Sequence, residues 1–217
     1  MNQTLESGTD EEPLKISGII LAGGGCRRMG GINKALLRVG GRPIVERAAE
    51  VLKGVFPEVL LITNSPEEYE FLGLPMFRDL IPGRGALGGL YTALNKCSYD
   101  SVFLVGCDMP FLNRGIVSCM AAMATAEEHD ILVPRVNNKL QPMHAVYSRR
   151  CISAIEQYMD RPDLRILNFF PRVDVREVPE QDFCPYDPLF RFVMNINTPQ
   201  DLERAREMAD PSSREPG

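Results

Sequence analysis

The chain reads as short apolar runs separated by stretches in which apolar residues recur every three or four positions. Residues 16–21 and 101–106 are nearly unbroken, with Gly18-Ile19-Ile20-Leu21 in the first and Val102-Phe103-Leu104-Val105 in the second. Such runs, lacking polar alternation, suit strands of a parallel sheet covered on both faces. Further strands are predicted at 59–63 and 130–133, and helices at 43–53, 88–96 and 114–127. The series is a βαβ alternation and implies a mainly parallel, helix-covered sheet. Beyond residue 135 the pattern changes. It predicts an extended segment at 140–148, a helix at 149–158, strands at 173–178 and 192–196, and a last helix opened by Thr198 as N-cap with Pro199 at its first position. The expected fold class is α/β, a three-layer, mainly parallel open sheet with a small β insertion in the C-terminal half.

Residues 1–13 are polar and acidic, and 210–217 lack apolar periodicity, so both read as loose tails around one domain at 14–209. The 217 residues suffice for a single core. With 44% hydrophobic and 24% charged residues the composition is that of an ordinary globule. No apolar run approaches the roughly 20 residues a membrane-spanning helix needs. The N-terminus has neither the basic start nor the apolar stretch of a secretory signal, which predicts a cytoplasmic location without a membrane partner. A net charge of −5 argues against a nucleic-acid surface, because phosphate contacts there need a basic face. Any phosphate must be held locally. The six cysteines form no CxxC pair and only two histidines are present, so neither a disulfide framework nor a zinc site is expected. Cys107 reads as a small buried thiol.

Three stretches carry candidate chemistry. The first, from Leu21 to Lys34, follows the first strand and holds five glycines and three cations between Gly23 and Lys34. It is not a Walker A loop, because Lys34 is preceded by Asn33 and followed by Ala35, and Arg27 and Arg28 break a GxGxxG pattern. Glycines there let backbone N–H groups approach phosphates, so the loop is a polyphosphate candidate; the alternative is a flexible loop with solvated arginines. The second stretch is the apolar strand at 101–106 running to Asp108. A carboxylate leaving a buried strand beside a phosphate loop can hold Mg²⁺, although it can equally form a turn or an N-cap before Pro110. The third, from Asp79 to Leu90, brings glycines to a helix start.

Together these stretches resemble the molybdenum cofactor guanylyltransferases, named MobA in bacteria, within the wider group of sugar-nucleotide-like nucleotidyltransferases. The motifs are LAGGGCRRMGGINKALL at 21–37, RDLIPGRGALGGL at 78–90, GCDMPF at 106–111, QPMHAVY at 141–147 and NINTPQDL at 195–202. They occur in the family's order and spacing. The family often has proline in a GPLAGL motif where this chain has Gly85-Ala86-Leu87-Gly88-Gly89-Leu90. The resemblance implies a Rossmann-like nucleotidyltransferase fold, GTP and molybdopterin as substrates and Mg²⁺ as cofactor. By similarity Leu21, Ala22, Gly23, Gly24, Lys34, Asn64, Asp79 and Asp108 would contact GTP, with Asp108 also on the metal. Lys34, Asp108 and Arg28 would be catalytic, Arg28 meeting the phosphates. The same pathway would bring contacts with molybdopterin-loading proteins and molybdoenzyme apo-forms.

His144, Asn195 and Asn197 are candidates for the molybdopterin side. His144 reads either as a pterin contact or as a structural residue; a phosphate nucleophile is already ionised at neutral pH and needs no general base. Asn195 and Asn197 would face the same side of a strand, or else form a helix-entry pair before Thr198. The implied reaction is in-line attack by the molybdopterin phosphate on the α-phosphorus of GTP, with pyrophosphate leaving. The alternatives are the cytidylyltransferase of the same cofactor or another sugar-phosphate nucleotidyltransferase, and a non-catalytic molybdopterin carrier. GTP is expected over CTP because Gly23 and Gly24 leave room for a purine where related cytidylyltransferases read LAAG.

Overall fold

The computed structural model describes residues 14–23 and 33–210. In chain order the strands are β1 (Ile16–Leu21), β2 (Arg38–Val39), β3 (Arg42–Pro43), β4 (Glu58–Ile62), β5 (Met76–Phe77), β6 (Ser101–Gly106), β7 (Ile131–Val136), β8 (Lys139–Leu140), β9 (His144–Ser148) and β10 (Val175–Pro179). The α-helices are α1 (Ile44–Lys53), α2 (Gly85–Lys96), α3 (Arg114–Ala126), α4 (Ile152–Glu156) and α5 (Pro199–Ala209). The main sheet runs β10-β7-β9-β6-β1-β4-β5, with β8 paired to β7, while β2 and β3 form a separate antiparallel pair. Pairing is parallel between β6, β1, β4 and β5 and between β10 and β7; β9 runs antiparallel to both of its neighbours. The C-terminal β insertion is thus the β7–β8 hairpin and the return strand β9. Its turn places Asn137 and Asn138 at φ 50° and 58°, the pair of positive angles that a tight hairpin requires and that Asn tolerates.

The unbroken apolar runs have a direct cause in the layers. Phe103 and Val105 of β6 pack with Val45 and Leu52 of α1 and Ile116 and Met120 of α3. Val102 and Leu104 point the other way, to Leu87 and Leu90 of α2 and Ile155 of α4. A strand between two helix layers has no polar face to offer. At Gly18 of β1 the α1 layer comes very close: a Cβ there would lie 2.9 Å from the Phe56 ring and 3.2 Å from Leu52 Cβ.

Three predicted elements need correction. Residues 192–196 are not a strand. Their apolar character reflects the burial of Phe192 and Ile196, and the chain enters through Phe190 at φ 50° into a 3₁₀ turn, Arg191–Val193. The Phe192 amide donates to the Asp187 carboxylate at 3.0 Å and the Ile196 amide to the Asp108 carbonyl at 2.9 Å. The segment at 140–148 is interrupted by a turn at 141–143, and the helix at 149–158 is split into a 3₁₀ turn, Arg149–Cys151, and the short α4. The first predicted tail and 211–217 lie outside the described residues; Asp210 still bonds back to the last turn of α5. Among the described residues no helix is long and apolar enough to cross a membrane.

Candidate active site

Backbone pairing continues past the strand ends and sets the site's floor. The Ala22 amide donates to the Ile62 carbonyl at 2.9 Å, Cys107 to Leu21 at 3.1 Å and Thr63 to Phe77 at 2.9 Å. The residues that follow β1, β4, β5 and β6 therefore emerge together, and in open α/β sheets ligands bind beyond this edge. Leu21 and Ala22 are buried, and Gly23 is partly open with nothing within 4 Å of the position a Cβ would take. Gly24 and Arg28 lie outside the described residues.

Lys34 reaches the site from the first residue of a 3₁₀ turn, Lys34–Leu36. Asn33 caps that turn by accepting from the Ala35 amide at 3.1 Å, and its Nδ2 donates to Glu68 at 2.7 Å and Tyr69 at 2.8 Å. The lysine is only 2% exposed, and its Nζ donates to Oδ1 of Asn197 at 3.0 Å. A buried ammonium held chiefly by a neutral amide is strongly placed to meet an anion.

Asp108 stands just past β6. Burial pushes its carboxyl up from the usual aspartate range, its own backbone amide and the nearby Lys34 charge working the other way. Lys34 and Asp108 feel each other electrostatically without forming an ion pair among the described residues. Mg²⁺ fits this carboxylate. That ion takes one or two carboxylates and completes its shell with phosphates and water, and no group of three or more acidic, histidine or cysteine ligands is present among the described residues to form a protein-only cage.

Asn64 and Asp79, from the ends of β4 and β5, form a reciprocal pair. Asn64 Nδ2 donates to Asp79 Oδ2 at 2.7 Å, and the Asp79 amide returns to Asn64 Oδ1 at 3.0 Å. Arg78 also donates to the Asn64 carbonyl. The pairing engages Oδ2 of the carboxylate and the Asp79 amide, which fixes the orientation of the group.

The three residues expected on the molybdopterin side are not brought together. Asn197 contacts Lys34; Asn195 turns back to the Val193 carbonyl at 3.4 Å. Because the segment is not a strand, the expected alternation of these two side chains on one strand face does not hold. The His144 ring has no exposed surface. It sits edge-on between Phe103 and Phe192 at 5.1 and 4.9 Å, neither ring nitrogen has a hydrogen-bond partner, and burial lowers its pKa to about 3. Cys107 is buried, as expected.

Two contributors were not picked out from the sequence. Asn33 fixes the lysine's backbone, and Asp201 forms a capping box with Thr198 at the start of α5. The Thr-x-x-Asp spacing was a local signal for the second. The partners of Asn33 lie 35 and 36 residues away, beyond any local pattern.

These features define an α/β protein whose candidate site residues gather at the carboxyl ends of parallel strands. The model of the MobA-like NTP transferase domain matches residues 18–173. A relative from Pelotomaculum thermopropionicum, named probable molybdenum cofactor guanylyltransferase, is 41% identical over 92% of this chain and 96% of its own length. Another, from Desulfosudis oleivorans and named molybdenum cofactor guanylyltransferase, is 33% identical over 88% and 94%. The crystal structure of molybdopterin-guanine dinucleotide biosynthesis protein A from Archaeoglobus fulgidus superposes with a TM-score of 0.77 at 24% identity, covering 88% of this chain and 97% of that one, which shows the shared fold. The chain belongs to the MobA-like NTP transferase family and is a nucleotidyltransferase.

Proposed function

We propose that the chain transfers GMP from GTP to the phosphate of molybdopterin, forming the guanine dinucleotide cofactor and releasing pyrophosphate. The observation that carries this reading is the buried Lys34 beside the desolvated Asp108 at one sheet edge, in a chain 41% identical to a relative named for that activity. The nucleophile is an ionised phosphate, so the protein has no proton to remove and its work is positioning and charge neutralisation. Lys34 takes the triphosphate, stabilising charge that grows on the leaving pyrophosphate. Arg28 adds a second cation on the same phosphates. Asp108 would hold Mg²⁺, which when bound would supply further charge neutralisation.

The backbone of Leu21, Ala22 and Gly23 is offered to the guanine, and Asp79, oriented by Asn64, accepts from donors on the nucleotide. Asn195 and Asn197 border the acceptor side, Asn197 through its bond to Lys34, and His144 contributes through the core rather than by touching the pterin. The reading is tested by following pyrophosphate release from each of the four ribonucleoside triphosphates with and without molybdopterin. Release is expected only from GTP and only with the acceptor; acceptor-independent release would defeat it.

A further inference from the structure

The start of α5 is wired to both principal site residues. Three successive amides, those of Ile196, Asn197 and Thr198, are all committed. Ile196 donates to the Asp108 carbonyl at 2.9 Å, while Asn197 and Thr198 both donate to Oδ2 of Asp201, at 3.0 and 2.8 Å. The Asp201 amide returns to the Thr198 hydroxyl at 3.1 Å. The backbone of Asn197 is therefore fixed on either side, although the residue itself is exposed, and its Oδ1 is left to receive Lys34 Nζ at 3.0 Å. An exposed asparagine without such a clamp has free rotation to lose each time it orders a lysine.

We infer that Asp201 is a positioning residue, which through Asn197 holds the Lys34 ammonium in register with Asp108. This rests on Lys34 being the phosphate-binding cation. The bonds from the Asn197 and Thr198 amides and the Thr198 hydroxyl keep the Asp201 carboxyl below its usual range, with the Lys34 charge adding to the effect, so the clamp stays ionised and intact at neutral pH. A conventional helix cap would account for the Thr198 bonds alone. The bond from Asn197, one residue before the cap, is what ties the helix to the lysine.

The test is a double-mutant cycle read as the single-turnover rate with enzyme in excess over labelled GTP and with molybdopterin saturating, a format that quantifies slow variants, with thermal midpoints recorded in parallel. Asp201→Ala is expected to slow turnover about tenfold, since small misplacement of a catalytic group is costly. Thr198→Ala, which removes the cap hydroxyl but leaves the Asn197 clamp, is expected to lower the midpoint comparably and change the rate by less than about twofold. In a Lys34→Met background, Asp201→Ala should slow the reaction by less than about twofold further. Equal rate losses in Asp201→Ala and Thr198→Ala, or an undiminished Asp201→Ala effect in Lys34→Met, would overturn the positioning role alone. A Lys34→Met protein as fast as wild type would overturn the reading of Lys34 and this inference with it.

Discussion

Nζ of Lys34 lies 3.0 Å from Oδ1 of Asn197, a residue 163 positions later in the chain. The glycine-rich loop's lysine is thus held by the segment that opens the last helix, and the first and last motifs of the family form one device. If that lysine carries the phosphate chemistry, Lys34→Ala should lower kcat by roughly 100-fold, the usual cost of losing a group that stabilises transition-state charge. The check is kcat beside the thermal midpoint. A loss of stability with unchanged kcat would leave Lys34 a structural residue.

Asp108 presents the opposite trade. Burial disfavours its charged form, so at neutral pH the ionised carboxylate costs the fold stability that a neutral isostere would not. Asp108→Asn should therefore abolish magnesium-dependent turnover while leaving the thermal midpoint equal to or above that of wild type. A variant with lowered midpoint and intact turnover would remove Asp108 from the mechanism.

Gly23 offers a clean probe of the base site, because a Cβ there meets nothing within 4 Å among the described residues. Gly23→Ala should keep its thermal midpoint, and a loss of activity at unchanged midpoint reads on the nucleotide. The expected result is a larger fall in kcat/KM for GTP than for CTP, since the added methyl takes space a purine needs. Equal falls would place the base elsewhere.

His144 makes acid stability a test of the core. Its pKa is about 3 in the folded protein because burial disfavours the imidazolium, against about 6.5 when unfolded. The unfolded chain therefore binds the extra proton first. The His144 contribution is complete above about pH 6.5, declines as pH falls and is gone near pH 3, a span worth on the order of 4 to 5 kcal/mol. His144→Phe, which also removes two unpartnered ring nitrogens, should flatten that acid limb of a denaturation profile. An unchanged limb would contradict a buried neutral imidazole.

The strands at 16–21 and 101–106 were legible because burial on both faces leaves an apolar run, and following the second run to its end placed Asp108 at the carboxyl edge of the sheet; residues 24–32 of the glycine-rich loop lie outside the described residues. The segment at 192–196 misled for a related reason. Phe192 is apolar because it packs between His144 and Phe183, not because it belongs to a sheet. The antiparallel β9 between β6 and β7, the Asn33 clamp on Glu68 and Tyr69, and the Lys34–Asn197 bond join residues with no shared periodicity, and only the folded chain reveals them.

Transfer of the guanylyl group itself is measured most directly by following GTP labelled at its α-phosphorus in the presence of molybdopterin, with labelled CTP in a parallel reaction. The expected result is label from GTP in a pterin dinucleotide, matched mole for mole by pyrophosphate, with little from CTP. Label that stays in GTP or appears as free GMP, or that enters the pterin equally from CTP, would contradict it.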